Sequence, residues 1–155
     1  MSALSLSQAC ALTAGGAMWS SCAVPEAGIP SFTMSDGPLG IASGKVDERD
    51  IALLSPCSTL LGATWDRDLS CRIGALVGSE AVSRGVDAVL APNLNLARSP
   101  LAGRAFEYFS EDPVLTGVLG AEWVKGLQST GTGSIAKHMV CNDSETAVSY
   151  THLTL

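Results

Sequence analysis

Hydrophobic residues recur at two different spacings along the chain, and the spacing alternates from one segment to the next. Short apolar runs at 29–34, 86–90 and 134–140 are bounded by glycine, proline or polar residues and are typical of buried strands. From Asp66 to Arg84, and from Asp112 to the break at Gly131, apolar residues recur every three or four positions, which predicts amphipathic helices. The chain is therefore predicted to run strand, helix, strand, helix, strand.

Residues typical of helix caps stand at the boundaries of the two predicted helices. Asp66 and Asp112 precede the helical segments as N-caps, Pro113 suits the first helical position, and Gly85 suits a C-cap. The stretches 37–56 and 91–112 are predicted to be loops. Strands that alternate with helices through such connections are typical of a parallel α/β fold.

A second pattern concerns polar residues that follow the predicted strands. They fall where parallel α/β sheets and barrels build their sites, and they are Asp36, Asn93, Asn95, Lys137, His138 and Asn142. This clustering favours a (β/α)8 barrel, although a doubly wound sheet would give the same pattern. A complete barrel takes about 250 residues, so 155 residues hold only part of one.

Composition excludes several classes of partner. With 155 residues, 46% of them hydrophobic, the chain is predicted to be one globular unit. A net charge of -6 argues against nucleic acid and against an anionic membrane surface, and no apolar run is long enough to span a bilayer. The sequence makes no prediction of oligomeric state.

Cysteine usage bears on the cellular compartment. The five cysteines include no C-x-x-C pair, which argues against a disulfide framework and a zinc site. The uncharged segment 1–24 lacks the basic start of a secretory leader, and polar residues interrupt its apolar stretch. We therefore expect a cytoplasmic protein rather than a secreted or periplasmic one.

The candidate chemistry is the binding of a hydroxyl-rich ligand. No metal-ligand spacing and no phosphate-binding glycine motif occurs, so we expect neither a metal nor a cofactor. What remains is a carboxylate, a guanidinium, an ammonium and an imidazole, from Asp36, Arg104, Lys137 and His138. Each hydroxyl both donates and accepts, and charge-assisted hydrogen bonds are the strong ones.

Five separated motifs carry a resemblance to a known family. They are Gly28-Ile29-Pro30 with Ser35-Asp36-Gly37-Pro38, Leu61-Gly62-Ala63-Thr64-Trp65-Asp66, Arg98-Ser99-Pro100-Leu101, the stretch from Gly103-Arg104-Ala105-Phe106-Glu107 to Asp112-Pro113, and Lys137-His138-Met139-Val140-Cys141-Asn142-Asp143. In this order they closely resemble glycoside hydrolase family 3, in its β-glucosidase branch. The resemblance covers almost the whole chain.

This resemblance implies the first half of the family's N-terminal (β/α)8 TIM-barrel-type domain. It assigns Asp36, Arg104, Lys137 and His138 to the hydroxyls of the terminal non-reducing sugar. The implied substrate is a β-glucoside or a related oligosaccharide, cleaved with retention by two carboxylates. In the family the nucleophile and the acid/base lie further downstream, so we expect no catalytic residue in this chain and no turnover by the chain alone.

Three departures from the family pattern qualify this interpretation. Ala42 stands where many members have an arginine, which removes one expected donor to the sugar. The Pro-Gly-His-Gly-like loop of the N-acetylglucosamine branch is missing after His138. Residues 147–155 do not continue the family pattern, so we interpret 1–146 as the barrel portion and 147–155 as a non-native tail.

Alternatives remain at this stage. Asp36 could be a turn residue, and Arg104 could pair with Glu107 or Glu111 on a loop surface. Lys137 and His138 can reach one ligand only if their strand ends or bulges, since neighbours on a regular strand face opposite sides. The rival function is a non-catalytic carbohydrate-binding or interaction module. A fragment that neither folds nor binds is the third possibility.

Overall fold

A parallel sheet of three short strands organises the chain. The computed structural model describes residues 4–42, 51–139 and 141–145. In chain order the elements are helix α1 (Leu6–Thr13), strands β1 (Gly15–Ala17), β2 (Ser20–Ser21) and β3 (Met34–Asp36), helices α2 (Ser58–Thr64) and α3 (Arg67–Ser83), strand β4 (Ala88–Leu90), helix α4 (Pro113–Gln128) and strand β5 (Gly133–Ser134). In the described part of the chain, no helix has the length and apolar character needed to cross a bilayer.

The order of the strands in the sheet is β3-β4-β5, the same as their order in the chain. Asp36 at the end of β3 lies opposite Leu90 in β4, and Val89 of β4 lies opposite Ser134 of β5. Helix α3 precedes β4 and helix α4 precedes β5, so the sheet is built from successive strand-helix units. All three strands therefore end at the same edge of the sheet.

The polar caps predicted from the sequence are present at both long helices. The Asp66 carboxylate accepts a hydrogen bond from the Leu69 backbone N–H at 2.9 Å. The Asp112 carboxylate accepts one from Val114 at 2.7 Å. Gly85 follows α3 with a φ of 67°, in the left-handed region that glycine enters at little cost. The two predicted helices are confirmed.

Helices α3 and α4 cross with their backbones in contact, and glycine makes this possible. A Cβ on Gly74 would lie 2.1 Å from the Trp123 carbonyl oxygen, and a Cβ on Gly126 would lie 1.9 Å from the Cys71 carbonyl oxygen. Trp123 is 2% exposed and packs in the core between these helices and the sheet. The helix pair thus forms a close-packed layer behind the strands.

The predicted strand at 29–34 was placed too early. The strand that pairs with β4 is Met34–Asp36, whereas Ser20 bridges to Thr33 and Val24 bridges to Ile29. The Asp87 carboxylate accepts from the Thr33 N–H at 2.7 Å and closes this segment where the ladder begins. Hydrogen-bonding partners, rather than β-branched composition, decided where the strand starts.

The other two strands are shorter than predicted. Regular pairing covers 88–90 rather than 86–90, and 133–134 rather than 134–140, with one further parallel bridge between Asn93 and Lys137. Helices α1 and α2 and the β1–β2 hairpin were not predicted. Helix α2 lies in a Ser-, Thr- and Gly-containing stretch, and no residue of α1 is buried, so neither gives a clear apolar stripe.

Several predictions fall on residues outside the described ranges. Val140, the end of the predicted third strand, is one of them, as are residues 43–50 of the predicted loop 37–56. The domain boundary at 146 and the non-native tail at 147–155 also lie outside and stay predictions.

Candidate functional site

Four side chains meet at the carboxyl-terminal edge of the sheet. Asp36, Arg104, Lys137 and His138 all line one cavity of about 520 Å³, together with Trp19 and Leu90. Asp36 is the last residue of β3, and Lys137 and His138 follow β5. Arg104 comes from the long connection between β4 and α4, at the start of a short 3-10 turn over Ala105–Glu107. The structure therefore brings together all four residues singled out from the sequence.

Asp36 and Lys137 form an ion pair across the cavity. The Lys137 Nζ donates to Asp36 Oδ1 at 2.6 Å, and the side chains are 14% and 43% exposed respectively. The Asp36 carbonyl oxygen also accepts from the Ala42 N–H at 2.9 Å, which folds the following loop back onto the end of β3. Asp36 therefore has a turn role through its backbone, while its carboxylate faces the cavity.

Lys137 and His138 satisfy the geometric condition set by the sequence. Regular pairing in β5 ends at Ser134, before either residue, and the peptide bond between them is cis. Leu94 N–H donates to the Lys137 carbonyl at 2.6 Å, and Lys137 N–H donates to the Pro92 carbonyl at 2.9 Å, so the backbone here is held against the segment after β4. Both neighbouring side chains line the same cavity.

Arg104 pairs with Glu107, but the pair is buried rather than on a loop surface. Its Nε and Nη2 donate to the two Glu107 carboxylate oxygens at 2.7 and 2.6 Å. Arg104 and Glu107 are each 7% exposed. Glu111, the other partner considered, is exposed. Pairing with Glu107 is thus compatible with a place in the cavity wall, because the guanidinium has further N–H groups.

His138 lies between hydrogen-bonding groups on both ring nitrogens. Asn95 Nδ2 is 2.8 Å from Nδ1, and Arg104 Nη1 is 3.1 Å from Nε2. Burial lowers the pKa of His138 below its ordinary value, and the positive charges of Arg104 and Lys137 lower it further, against the smaller opposing effect of Glu107 and Glu145. The ring is therefore neutral at physiological pH.

Comparison with known proteins decides the family. The sequence model of the family described as "Glycosyl hydrolase family 3 N terminal domain" matches residues 23–154. The chain belongs to glycosyl hydrolase family 3. This agrees with the five motifs quoted above, of which Asp36, Arg104, Lys137 and His138 are part.

Relatives of this family 3 chain are much longer than the chain itself. Probable beta-glucosidase I of Aspergillus fumigatus is 48% identical over 142 residues, which are 92% of this chain but 17% of that protein. The protein of the same name from Neosartorya fischeri is 47% identical over the same extent. The chain therefore spans about a sixth of the length of these relatives.

Solved structures give the fold. Beta-glucosidase 3B of Thermotoga neapolitana, in complex with glucose, superposes with a TM-score of 0.74 at 40% identity, over 81% of this chain and 18% of that chain. Beta-glucosidase of Kluyveromyces marxianus, also with glucose, superposes with a TM-score of 0.88 at 37% identity, over 91% of this chain and 17% of that chain. The predicted fold class, a partial (β/α)8 TIM-barrel-type domain, is confirmed.

Two features of this family 3 cavity were not assigned by sequence reasoning. Trp19 lies between β1 and β2, and its carbonyl oxygen accepts from the Met34 N–H at 2.7 Å, which ties the hairpin to β3. No periodicity or motif marks Trp19 in the sequence. Glu107 was considered only as a surface partner, although its place three residues after Arg104 in a matching motif was a usable signal.

Proposed function

We propose that this chain is the sugar-holding N-terminal part of a retaining β-glucosidase that hydrolyses terminal non-reducing β-D-glucosyl residues. One observation carries the proposal. Four side chains of complementary hydrogen-bonding type line one cavity at the edge where three parallel strands end, and two of them, Asp36 and Lys137, are 101 residues apart in the chain. In α/β barrels this edge is where active sites are built.

The chemistry of the lining suits a monosaccharide. The Asp36 carboxylate accepts hydrogen bonds, while the Arg104 guanidinium and the Lys137 ammonium donate them. The lining can therefore bind a sugar hydroxyl either as a hydrogen-bond donor or as an acceptor. Trp19 and Leu90 supply apolar surface for the C–H groups of a sugar ring. A volume of about 520 Å³ is within the range of small-molecule sites, about 300 to 1,000 Å³.

The relatives support the same class of substrate. Two similar proteins are named probable beta-glucosidase, and two similar solved structures are complexes with glucose. For this chain, binding of a β-glucoside or related oligosaccharide is the inference that follows. Ala42, whose N–H donates to the Asp36 carbonyl, stands at the position where the family resemblance leads one to expect an arginine. We therefore propose one donor fewer to the glycone.

The chain alone is proposed to be inactive. Retaining glycosidases use two carboxyl groups about 5 Å apart. Among the described residues that line the cavity, Asp36 is the one carboxylate, and it is paired with Lys137. The nucleophile and the acid/base are proposed to come from protein sequence that is not in this chain.

A chimera tests this function directly. The matching 142-residue segment of the Aspergillus fumigatus relative is replaced by the corresponding segment of this chain. Hydrolysis of an aryl β-glucoside by the chimera supports the proposal. A folded chimera that binds glucose without hydrolysing the glucoside would instead support the rival, a non-catalytic carbohydrate-binding module. A chimera that is folded but does neither would contradict both.

Two further points are proposed on separate grounds. All five cysteines lie among the described residues and are free, which supports a reducing compartment and a cytoplasmic location. Fractionation of the source cells with an antibody against the chain would test this.

Residues 147–155 are proposed to be non-native although the family match reaches residue 154. Sequencing the source gene through codon 155 would test that.

A further inference from the structure

Behind the cavity wall lies a chain of buried polar groups that ends at His138. Glu107 is 7% exposed and Asn93 is fully buried, and neither lines the cavity. The Glu107 carboxylate accepts from Arg104 at 2.7 and 2.6 Å and from Asn93 Nδ2 at 3.0 Å. Buried polar groups of this kind are costly unless their hydrogen bonds are made, so the connections fix their orientation.

The direction of each hydrogen bond in this chain follows from the carboxylate. An ionised carboxylate only accepts, so Asn93 must turn its NH2 group toward Glu107 and its Oδ1 away. That oxygen accepts from the backbone N–H of Asn95 at 3.1 Å and from Asn95 Nδ2 at 2.9 Å. Asn95 Oδ1 in turn accepts from the Asn142 N–H at 3.1 Å. The Asn95 amide is therefore held with its NH2 group toward His138.

This orientation selects one tautomer of the histidine. Asn95 Nδ2 lies 2.8 Å from His138 Nδ1, so Nδ1 accepts a hydrogen bond and the single ring proton of the neutral imidazole is on Nε2. Nε2 lies 3.1 Å from Arg104 Nη1, which is also a donor. Two N–H groups cannot bond to each other, but an oxygen atom in the cavity can accept from both.

We propose that Glu107 is a positioning residue: it orients Arg104 directly and, through Asn93 and Asn95, sets His138 in the Nε2–H form, so that two N–H groups converge on one ligand oxygen. The ligand part of this inference rests on the proposed sugar-binding function. The tautomer part depends only on the hydrogen bonds within the chain. The two parts can therefore fail separately.

The tautomer is measurable in the chain itself. The sequence has two histidines, so the variant His152→Gln leaves His138 as the one ring to observe. Long-range ¹H–¹⁵N spectra of this variant with ¹⁵N-labelled histidine, at pH 7.5, should show Nδ1 unprotonated and Nε2 protonated. Adding Glu107→Gln should abolish this single form, whereas Glu111→Gln, at an exposed position on the same loop, should preserve it. A dominant Nδ1–H form, or a mixture of both forms, in the His152→Gln variant that keeps Glu107 would overturn the proposal.

Activity of the chimera gives the second measurement. Glu107→Gln should lower kcat/KM about 10- to 150-fold, the range for loss of a charge-assisted hydrogen bond, and Glu111→Gln should leave it unchanged. Because Glu107 acts on the site partly through Arg104, adding Glu107→Gln to Arg104→Gln should cost much less than it costs alone. Fully additive losses would overturn the proposal, as would a lower melting temperature with unchanged kcat/KM.

Failure of the proposed function would look different. In that case the unsubstituted chimera would not hydrolyse the β-glucoside at all, while the His138 spectrum of the chain would still report the Nε2–H form. Hydrolysis by the chimera together with the wrong tautomer would retain the proposed function and reject the role of Glu107.

Discussion

Replacing Asp36 with asparagine removes one negative charge and keeps the shape of the side chain. In the structure this carboxylate has two tasks, pairing with Lys137 at 2.6 Å and facing the cavity. The pair is partly solvated, since the Asp36 side chain is 43% exposed, so its loss should change the free energy of unfolding by at most about 1 kcal/mol. A charge-assisted hydrogen bond to a sugar hydroxyl is worth more, about 1.5 to 3 kcal/mol.

These two magnitudes separate a binding role from a structural one. In the chimera, Asp36→Asn should lower kcat/KM for an aryl β-glucoside by about 10- to 150-fold, while the melting temperature changes little. The matched control is Asp68→Asn, at an exposed aspartate in the first turn of α3 that does not line the cavity. Its kcat/KM should equal that of the unsubstituted chimera. Unchanged kcat/KM for Asp36→Asn, or a loss matched by a large fall in stability, would refute the reasoning.

Three other predictions follow from packing, charge and the cavity lining. Gly126→Ala should lower the free energy of unfolding by about 1 to 3 kcal/mol because its Cβ would meet a backbone oxygen at 1.9 Å. Gly117→Ala on the same helix, where a Cβ would have nothing within 4 Å, should raise the free energy of unfolding by about 0.4 to 1 kcal/mol. Urea denaturation of the chain compares the two variants, and equal effects would contradict the packing argument. Because the pKa of His138 is lower in the folded chain than in the unfolded chain, the unfolded chain binds a proton more readily, so the free energy of unfolding should fall as the pH drops below about 6.5. Urea denaturation at pH 5 to 8 should show that the free energy of unfolding depends less steeply on pH in His138→Gln. Trp19→Ala should weaken glucose binding to the chimera by about 2- to 10-fold in calorimetry, while Trp65→Ala, at a residue that is 71% exposed elsewhere, should not.

The sequence was most informative where a local rule and the tertiary structure agree. Asp66 and Asp112 predict helix starts because a carboxylate before a helix satisfies backbone N–H groups whatever the fold. The motifs around Asp36, Arg104 and Lys137 predicted a shared location, and the cavity contains all three.

What the sequence could not give depends on contacts between distant segments. The start of β3 is set by its pairing with β4 and by the Asp87 side chain, 54 residues from Thr33, rather than by the apolar run before it. Trp19 enters the cavity because the β1–β2 hairpin, whose two strands consist of small or polar residues, docks against the segment that leads into β3. Neither contact leaves a periodic signal near the residues involved.

The sheet order described above has a consequence for synthesis of the protein. Since each strand adds beside the one made before it, the nascent chain can extend the sheet in a single direction as it leaves the ribosome. Asp36 would emerge first, Arg104 next and the Lys137-His138 pair last, so the cavity closes only when β5 docks. A nascent chain that has not yet docked β5 exposes an unpaired β4 edge. Chaperones should therefore bind most strongly to nascent chains that end between β4 and β5.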